Sequence, residues 1–403
     1  MPEEHRTRLR LRVRLLTILG GILAGLLVAE AGLRVVGFRY LNLSREDSDV
    51  GYSLRPGAEG WWTREAETYI KINSDGLRDR EHSKEKPPGT LRVAVLGDSY
   101  AEALQVPLEN TFWSVAERRL QSSCTGLGGR RVEFINFGVS GFSTARELIT
   151  LRRRVWQYSP DVVMLLVTTG NDIRDNSKIL SREYAGAPLP YFVYENGSLV
   201  LDDSLLKQRN ESLLFRLRES RLGSLLGWLR ENVRLAGLFY RAREAARADA
   251  PAHPANASDP GYEPGLDSQV YLEPADDTWG DAWKVTEGLI LLMRDEVEAR
   301  GARFLVVTGS NGIQVYPDPA VRQRFMRSLG AEDLFYPERR VRALGERGRM
   351  DVLNLAPALQ AYAERNGAIL HGTQGRGHWN VLGHRLVGET VADRLCETIT
   401  AKR

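Results

Sequence analysis

The chain is poor in sulfur and in histidine, with two cysteines, five methionines and six histidines in 403 residues. Cys124 and Cys396 form no Cys-x-x-Cys pair, which excludes a zinc ribbon and a dithiol redox motif. They can pair once or remain two buried thiols, and spacing alone leaves both open. Aromatic residues are 8% of the chain and are nowhere interleaved with a basic patch, so a nucleic-acid partner is not indicated. No internal repeat is present. Long apolar runs are scarce too, and the one that stands out lies near the start.

That run follows Arg6, Arg8, Arg10, Arg12 and Arg14. It is uncharged over 15–29, resumes after Glu30 and ends at Phe38. A membrane-spanning helix needs about 20 mostly apolar residues. Residues 15–38 suffice if Glu30 and Arg34 lie near the far interface. Arginines ahead of the span favour a cytoplasmic N-terminus with the rest of the chain exported. Ala29-Glu30-Ala31 also fits a small-x-small cleavage site, so a removed signal peptide competes with a retained anchor, and a buried helix is a third reading. The first two both predict that the rest of the chain is extracytoplasmic (periplasmic or secreted).

Residues 39–90 read as a small β-containing collar, with a strand near 69–72, a turn at 73–76 and a linker at 84–89. From residue 91 the pattern alternates. Strands are predicted at 91–97, 132–137, 161–167, 303–308 and 351–355, with helices at 110–121, 144–157, 281–299, 357–366 and from 381 to the end, and helical stretches up to 347. The uninterrupted apolar run at 161–167 suits a strand buried on both faces. Such alternation predicts an α/β fold built on a doubly wound parallel sheet with helices on both faces. An insertion at about 181–280 breaks the rhythm. It is helical over 205–246 and then Pro-rich over 248–265, and it reads either as a lid or as a surface elaboration. Its Leu- and Arg-rich helices suit core packing better than a membrane surface. The expected organisation is thus 1–38 as stub and hydrophobic helix, 39–90 as collar, and 91–403 as the α/β domain.

Chemistry-bearing residues cluster at predicted strand ends and helix starts. Gly97-Asp98-Ser99 closes the first strand, and Gly138-Val139-Ser140-Gly141 follows the second. Gly170-Asn171-Asp172 follows the third, and Gly377-His378-Trp379-Asn380 precedes the last helix. Each block alone has a plain structural explanation: Ser99 or Asn171 as a cap, the glycines as turns, His378 as a surface histidine. Their coincidence in this order is more informative than any one of them.

In these four blocks the chain resembles the SGNH (GDSL-type) hydrolase superfamily, and more locally its exported or membrane-anchored bacterial members. The resemblance covers 91–169 and the C-terminal third, the collar partly, and the insertion not at all. It implies a flavodoxin-like sheet and an esterase acting on acyl-ester substrates without a cofactor or metal. Ser99 would be the nucleophile and His378 its base, with an oxyanion hole from the Ser99 and Gly141 N–H groups and the Asn171 amide. Gly138 would be structural. O-acetyl groups on cell-surface polysaccharide are the implied substrate. The alternatives are a polysaccharide O-acyltransferase using the same acyl-enzyme and a non-catalytic polysaccharide-binding or assembly protein.

One position departs from the family pattern. The aspartate expected two or three residues before the histidine is replaced by Gly375 and Arg376. A Ser99–His378 dyad with a backbone carbonyl holding the ring is the favoured arrangement. An acid from elsewhere and lost activity are the others, and Asp98, Asp172 and Asp351 do not match the family's acid position. A metal trio of His371, His378 and His384 lacks a nearby carboxylate in sequence.

Overall fold

Aliphatic runs with no polar face form the main sheet. The computed structural model describes residues 2–38, 40–181, 188–248, 266–372 and 374–400. The described residues fall into two units: a smaller one from 1–42 and 211–248, and a larger one from 43–210 and 266–400.

In the larger unit the collar is two antiparallel hairpins, β1 (Ser44–Asp47) with β2 (Gly51–Leu54) and β3 (Glu59–Trp62) with β4 (Thr68–Lys71). The expected strand and its turn at 73–76 are there, and three further strands accompany them. Next come β5 (Thr90–Leu96), β6 (Arg131–Asn136) and β7 (Val162–Val167). The hairpin β8 (Tyr191–Glu195) and β9 (Ser198–Asp202) precedes β10 (Arg303–Thr308) and β11 (Asp351–Asn354).

Five of these strands make one parallel sheet in the order β11-β10-β7-β5-β6. Numbered along the chain and read from β6, that is the 2-1-3-4-5 order of flavodoxin-like folds, as expected. Side chains alternate between the sheet's faces. Val93, Val95, Met164 and Leu166 join Trp113 and Val391, from the helices Phe112–Ser123 and Val381–Thr400, in one core. The alternate residues Ala94, Leu96, Val163 and Leu165 are equally buried. Cover on that second face comes from the helix Asp277–Ala299, which packs on β10 and on the helix Thr144–Arg153. The sheet is therefore covered on both faces. Cys124 and Cys396 are disulfide-bonded, tying the end of Phe112–Ser123 to the last helix.

The structure adds two features to the sequence reading. The helix expected over 144–157 ends at Arg153 and continues as a 3₁₀ turn, Val155–Tyr158. Ahead of the helices expected over 205–246, which are present, the insertion holds the β8–β9 hairpin, where no strand is predicted. Its turn places Asn196 and Gly197 at positive φ (50° and 83°), the pairing a two-residue hairpin turn requires. The Pro-rich stretch after Ala248 lies outside the described residues.

The smaller unit contains the helix Pro2–Val35, of which Arg12–Val35 is long and apolar enough to cross a membrane. It also holds the helices Leu213–Glu219, Arg221–Asn232 and Arg234–Ala248.

Candidate active site

The carboxyl edge of the sheet is where the chain reverses strand order, between β5 and β7, and open α/β folds place their sites there. After β5 the backbone turns at Gly97, where a Cβ would lie 2.8 Å from that of Ala101. Asp98 then caps the short helix Ser99–Glu102, accepting a bond from the Tyr100 N–H at 2.9 Å. With Asp98 as the cap, the Ser99 hydroxyl is left for other work.

That hydroxyl lies 2.7 Å from His378 Nε2. On the far side of the ring, Nδ1 is 2.6 Å from Glu65 Oε1, and the His378 backbone N–H donates to Glu65 Oε2 at 3.1 Å. A carboxylate only accepts, so the proton of this tautomer sits on Nδ1 and Nε2 accepts from Ser99. Glu65 comes from the turn between β3 and β4. The favoured backbone-carbonyl support for the ring is thus corrected: a carboxylate from the collar holds it. Asp98, Asp172 and Asp351 have other partners. Asp98 binds Tyr100, Thr168 and Asn171, Asp172 binds the Thr168 N–H, and Asp351 binds Arg394 and Thr398. Arg376 is exposed.

Local packing supports this geometry. Gly377 has φ of +80°, and a Cβ there would lie 3.0 Å from Glu65 Oε2, so a glycine gives the carboxylate room. The Tyr100 ring lies 4.9 Å from that of His378, and its hydroxyl donates to the Gly377 carbonyl at 3.2 Å. Burial alone would raise the Glu65 carboxyl. The hydrogen bonds that Glu65 accepts from the His378 ring and backbone outweigh it and hold the carboxyl below the ordinary carboxylate range.

The remaining expected residues lie around the Ser99 turn. Asn171 is buried and its Nδ2 donates to Asp98 Oδ2 at 3.0 Å. An amide nitrogen carries two protons, so this bond uses one of them. Asn171 makes no side-chain capping bond to the helix Asp172–Asn176. Gly141 occupies an exposed turn at φ +73°, where a Cβ would meet the Tyr52 hydroxyl at 2.6 Å. The turn is held by Glu102, which accepts from the Ser140 N–H at 2.6 Å, and by the Tyr52 hydroxyl, which donates to the Ser140 carbonyl. Burial pushes the Glu102 carboxyl up. Gly138 packs on Ala101, with a notional Cβ 2.5 Å from the alanine's, a structural placement. Beneath the turn, burial and the Asp98 charge push the Glu147 carboxyl well up, and burial with the Glu147 and Asp98 charges does the same to Asp172.

His371 and His384 are held away from His378's chemistry. His371 bridges the Gly377 carbonyl and the Ser310 hydroxyl, and burial lowers it to about 4. His384 accepts from the Phe112 N–H and faces Gln105, and burial lowers it well below the ordinary histidine value. Both are neutral packing histidines.

Glu65 is the site residue that sequence reasoning missed. Nothing local marks it, and the one trace is indirect: glycines at 375 and 377 beside a histidine whose usual acid is absent.

The fold and site together define an α/β protein with a Ser–His–Glu chain at its sheet's carboxyl edge. No family model and no curated protein matches the sequence. Among solved structures, the acetyl xylan esterase AlAXEase is similar at 13% identity and a TM-score of 0.39, over 76% of this chain and 100% of that one. LAE5, an alpha/beta hydrolase enzyme from the metagenome of Lake Arreo, Spain, is similar at 10% identity and 0.38, over 80% and 100%. A catalytic mutant of the acetylxylan esterase Axe2 from Geobacillus stearothermophilus is similar at 12% identity and 0.38, over 78% and 96%.

Proposed function

We propose that this chain is a membrane-anchored, extracytoplasmic serine esterase that hydrolyses acyl esters, with O-acetyl groups on cell-surface polysaccharide as its substrate. The observation that carries the reading is the unbroken chain from Ser99 Oγ through His378 to the Glu65 carboxylate, with links of 2.7 and 2.6 Å. In the proposed reaction Ser99 Oγ attacks the acyl carbonyl while His378 Nε2 takes its proton. Glu65 keeps Nδ1 protonated and balances the imidazolium that forms. The Ser99 and Gly141 N–H groups and the Asn171 amide stabilise the tetrahedral oxyanion. His378 then protonates the departing alkoxide and activates water against the acyl-enzyme. A non-catalytic scaffold loses its main support, since the acid missing from sequence is supplied in space.

A sugar substrate draws support from the hairpin that delivers Glu65. Trp61 and Tyr69 face each other across it, ring centroids 5.5 Å apart, and both rings are about half exposed. Exposed aromatic faces of this kind suit an amphipathic partner. Anchoring draws support from the Arg12–Val35 helix and its preceding arginines, and an oxidising compartment from the disulfide. The test is acetate release from an acetylated polysaccharide by the wild type and by Ser99→Ala, with and without an unacetylated acceptor. Wild-type release that Ser99→Ala abolishes supports the reading. Acetate recovered only on the acceptor assigns transfer instead, and no turnover on any acetyl ester overturns both.

A further inference from the structure

The helices of 213–248 carry more apolar surface than the chain covers. Leu214, Leu222, Leu226, Trp228 and Phe239 are each more than half exposed. Within Arg221–Asn232, residues 222, 225, 226 and 229 are leucines at the spacing of one helix face, and Trp228 adjoins them. Over 211–248 the sequence has eight arginines against four glutamates and no lysine or aspartate. The core packing expected for these helices is therefore not what the structure has.

The same helices are pinned to one end of the apolar N-terminal helix. Glu30 accepts from the Arg234 and Leu235 N–H groups at 3.0 Å each, capping the start of Arg234–Ala248. Arg34 pairs with Glu30 at 2.9 Å and donates to the Asn232 carbonyl at 3.0 Å, near the end of the preceding helix. Tyr40 meets Tyr240, their ring centroids 6.3 Å apart. The two charges that interrupt the apolar run thus hold the bend between two exposed amphipathic helices.

We propose that the helices of 213–248 lie in the lipid interface, at the outer surface of the bilayer that the N-terminal helix spans. The inference rests on the anchored reading above. Three features select lipid as the occupant. The pinned bend joins these helices to the span where it leaves the membrane. The excess of arginine suits anionic headgroups, and arginine stems can lie along the apolar boundary with their charge in water. Trp228 among leucines is the composition of a membrane–water boundary.

The test uses the full chain in vesicles of phosphatidylcholine and phosphatidylglycerol, the native cysteines being paired. An environment-sensitive fluorophore is placed on Leu226→Cys, or on Leu19→Cys as the reference within the span. Retained disulfide and unchanged esterase turnover confirm folding of each variant. The expected result is blue-shifted emission at both sites, with Leu226→Cys quenched most by lipids labelled near the headgroup and Leu19→Cys by lipids labelled deep in the acyl chain. A Leu226→Cys probe quenched by aqueous iodide and not by lipid, beside a lipid-quenched Leu19→Cys, overturns the proposal. So does a probe shielded from both quenchers in copies that cross-link, which puts a second copy on this face. A Leu19→Cys probe that no lipid quenches removes the span and the proposal together, while turnover on soluble acetyl esters still reports the active site separately.

Discussion

Glu65 and His378 stand 313 positions apart in sequence, yet the carboxylate grips the histidine twice, at ring Nδ1 and at the backbone N–H. The grip on the ring fixes the tautomer, and the grip on the backbone fixes where the ring stands. In the proposed reaction Glu65 is a positioning residue that acts through His378, and the collar hairpin is part of the catalytic apparatus.

Glu65→Gln tests that role. Losing the orienting acid of a serine triad costs about 10⁴-fold in kcat where the wrong tautomer results. A fall of roughly 10²- to 10⁴-fold in kcat is expected here, with KM little changed and Glu65→Asp restoring part of it. Steady-state kinetics across a pH series, with circular dichroism as the folding control, checks this. A kcat within about twofold of wild type at all pH values would remove Glu65 from the mechanism.

Gly377→Ala should damage both fold and activity. The left-handed backbone costs a non-glycine residue about 1–2 kcal/mol, and the added methyl meets Glu65 Oε2 at 3.0 Å. Urea denaturation should register the first effect and kcat the second. Gly367→Ala, also at positive φ (59°) but with open space around it, should show only the stability loss.

His82 gives the larger unit a pH-dependent contribution to stability. Burial would lower its pKa, but hydrogen bonds to Asp79 and Glu133 raise it to about 9. Its contacts are 3.2 Å to Asp79 and 2.7 Å to Glu133, with Arg92 on the other Glu133 oxygen. A group raised on folding stabilises fully below its unfolded value, about 6.5, and loses that contribution as pH rises through its folded one. Stability should therefore decline between about pH 6.5 and pH 9. His82→Gln should flatten that decline, as urea midpoints across the range would show.

How much was legible in sequence follows range. The sheet strands were readable because runs such as Val162–Val167 are apolar at every position, and only a strand covered on both faces tolerates that. Ser99 and His378 were readable because each sits in a short block whose neighbours serve it, Gly97 by making the turn, Asp98 by capping the helix and Gly377 by leaving space. Glu65 was not, because a glutamate in a hairpin turn looks like any solvated charge until the chain closes. Glu30 and Arg34 could be placed near the far interface of a span but not paired, because their partners lie about 200 residues downstream. The β8–β9 hairpin is a different failure. Its Asn196-Gly197 turn signal is local and went unread, ahead of the helical pattern that begins at 205.

Cys124→Ser/Cys396→Ser should lower stability without changing turnover. The bond closes a loop of 272 residues, and removing a native disulfide typically costs about 2–5 kcal/mol. The pair joins the end of the helix Phe112–Ser123 to the last helix, and none of Ser99, His378 and Glu65 lies on either element. The urea midpoint should fall while kcat under native conditions holds.

The most direct probe of the Ser99–His378–Glu65 chain is covalent labelling by a serine-directed fluorophosphonate, read by peptide mass spectrometry. One modified residue is expected, Ser99, with labelling lost in Ser99→Ala and strongly slowed in His378→Ala and Glu65→Gln. Wild-type protein that stays unlabelled, or labelling that persists in Ser99→Ala at the same rate, would contradict a nucleophilic serine at this site.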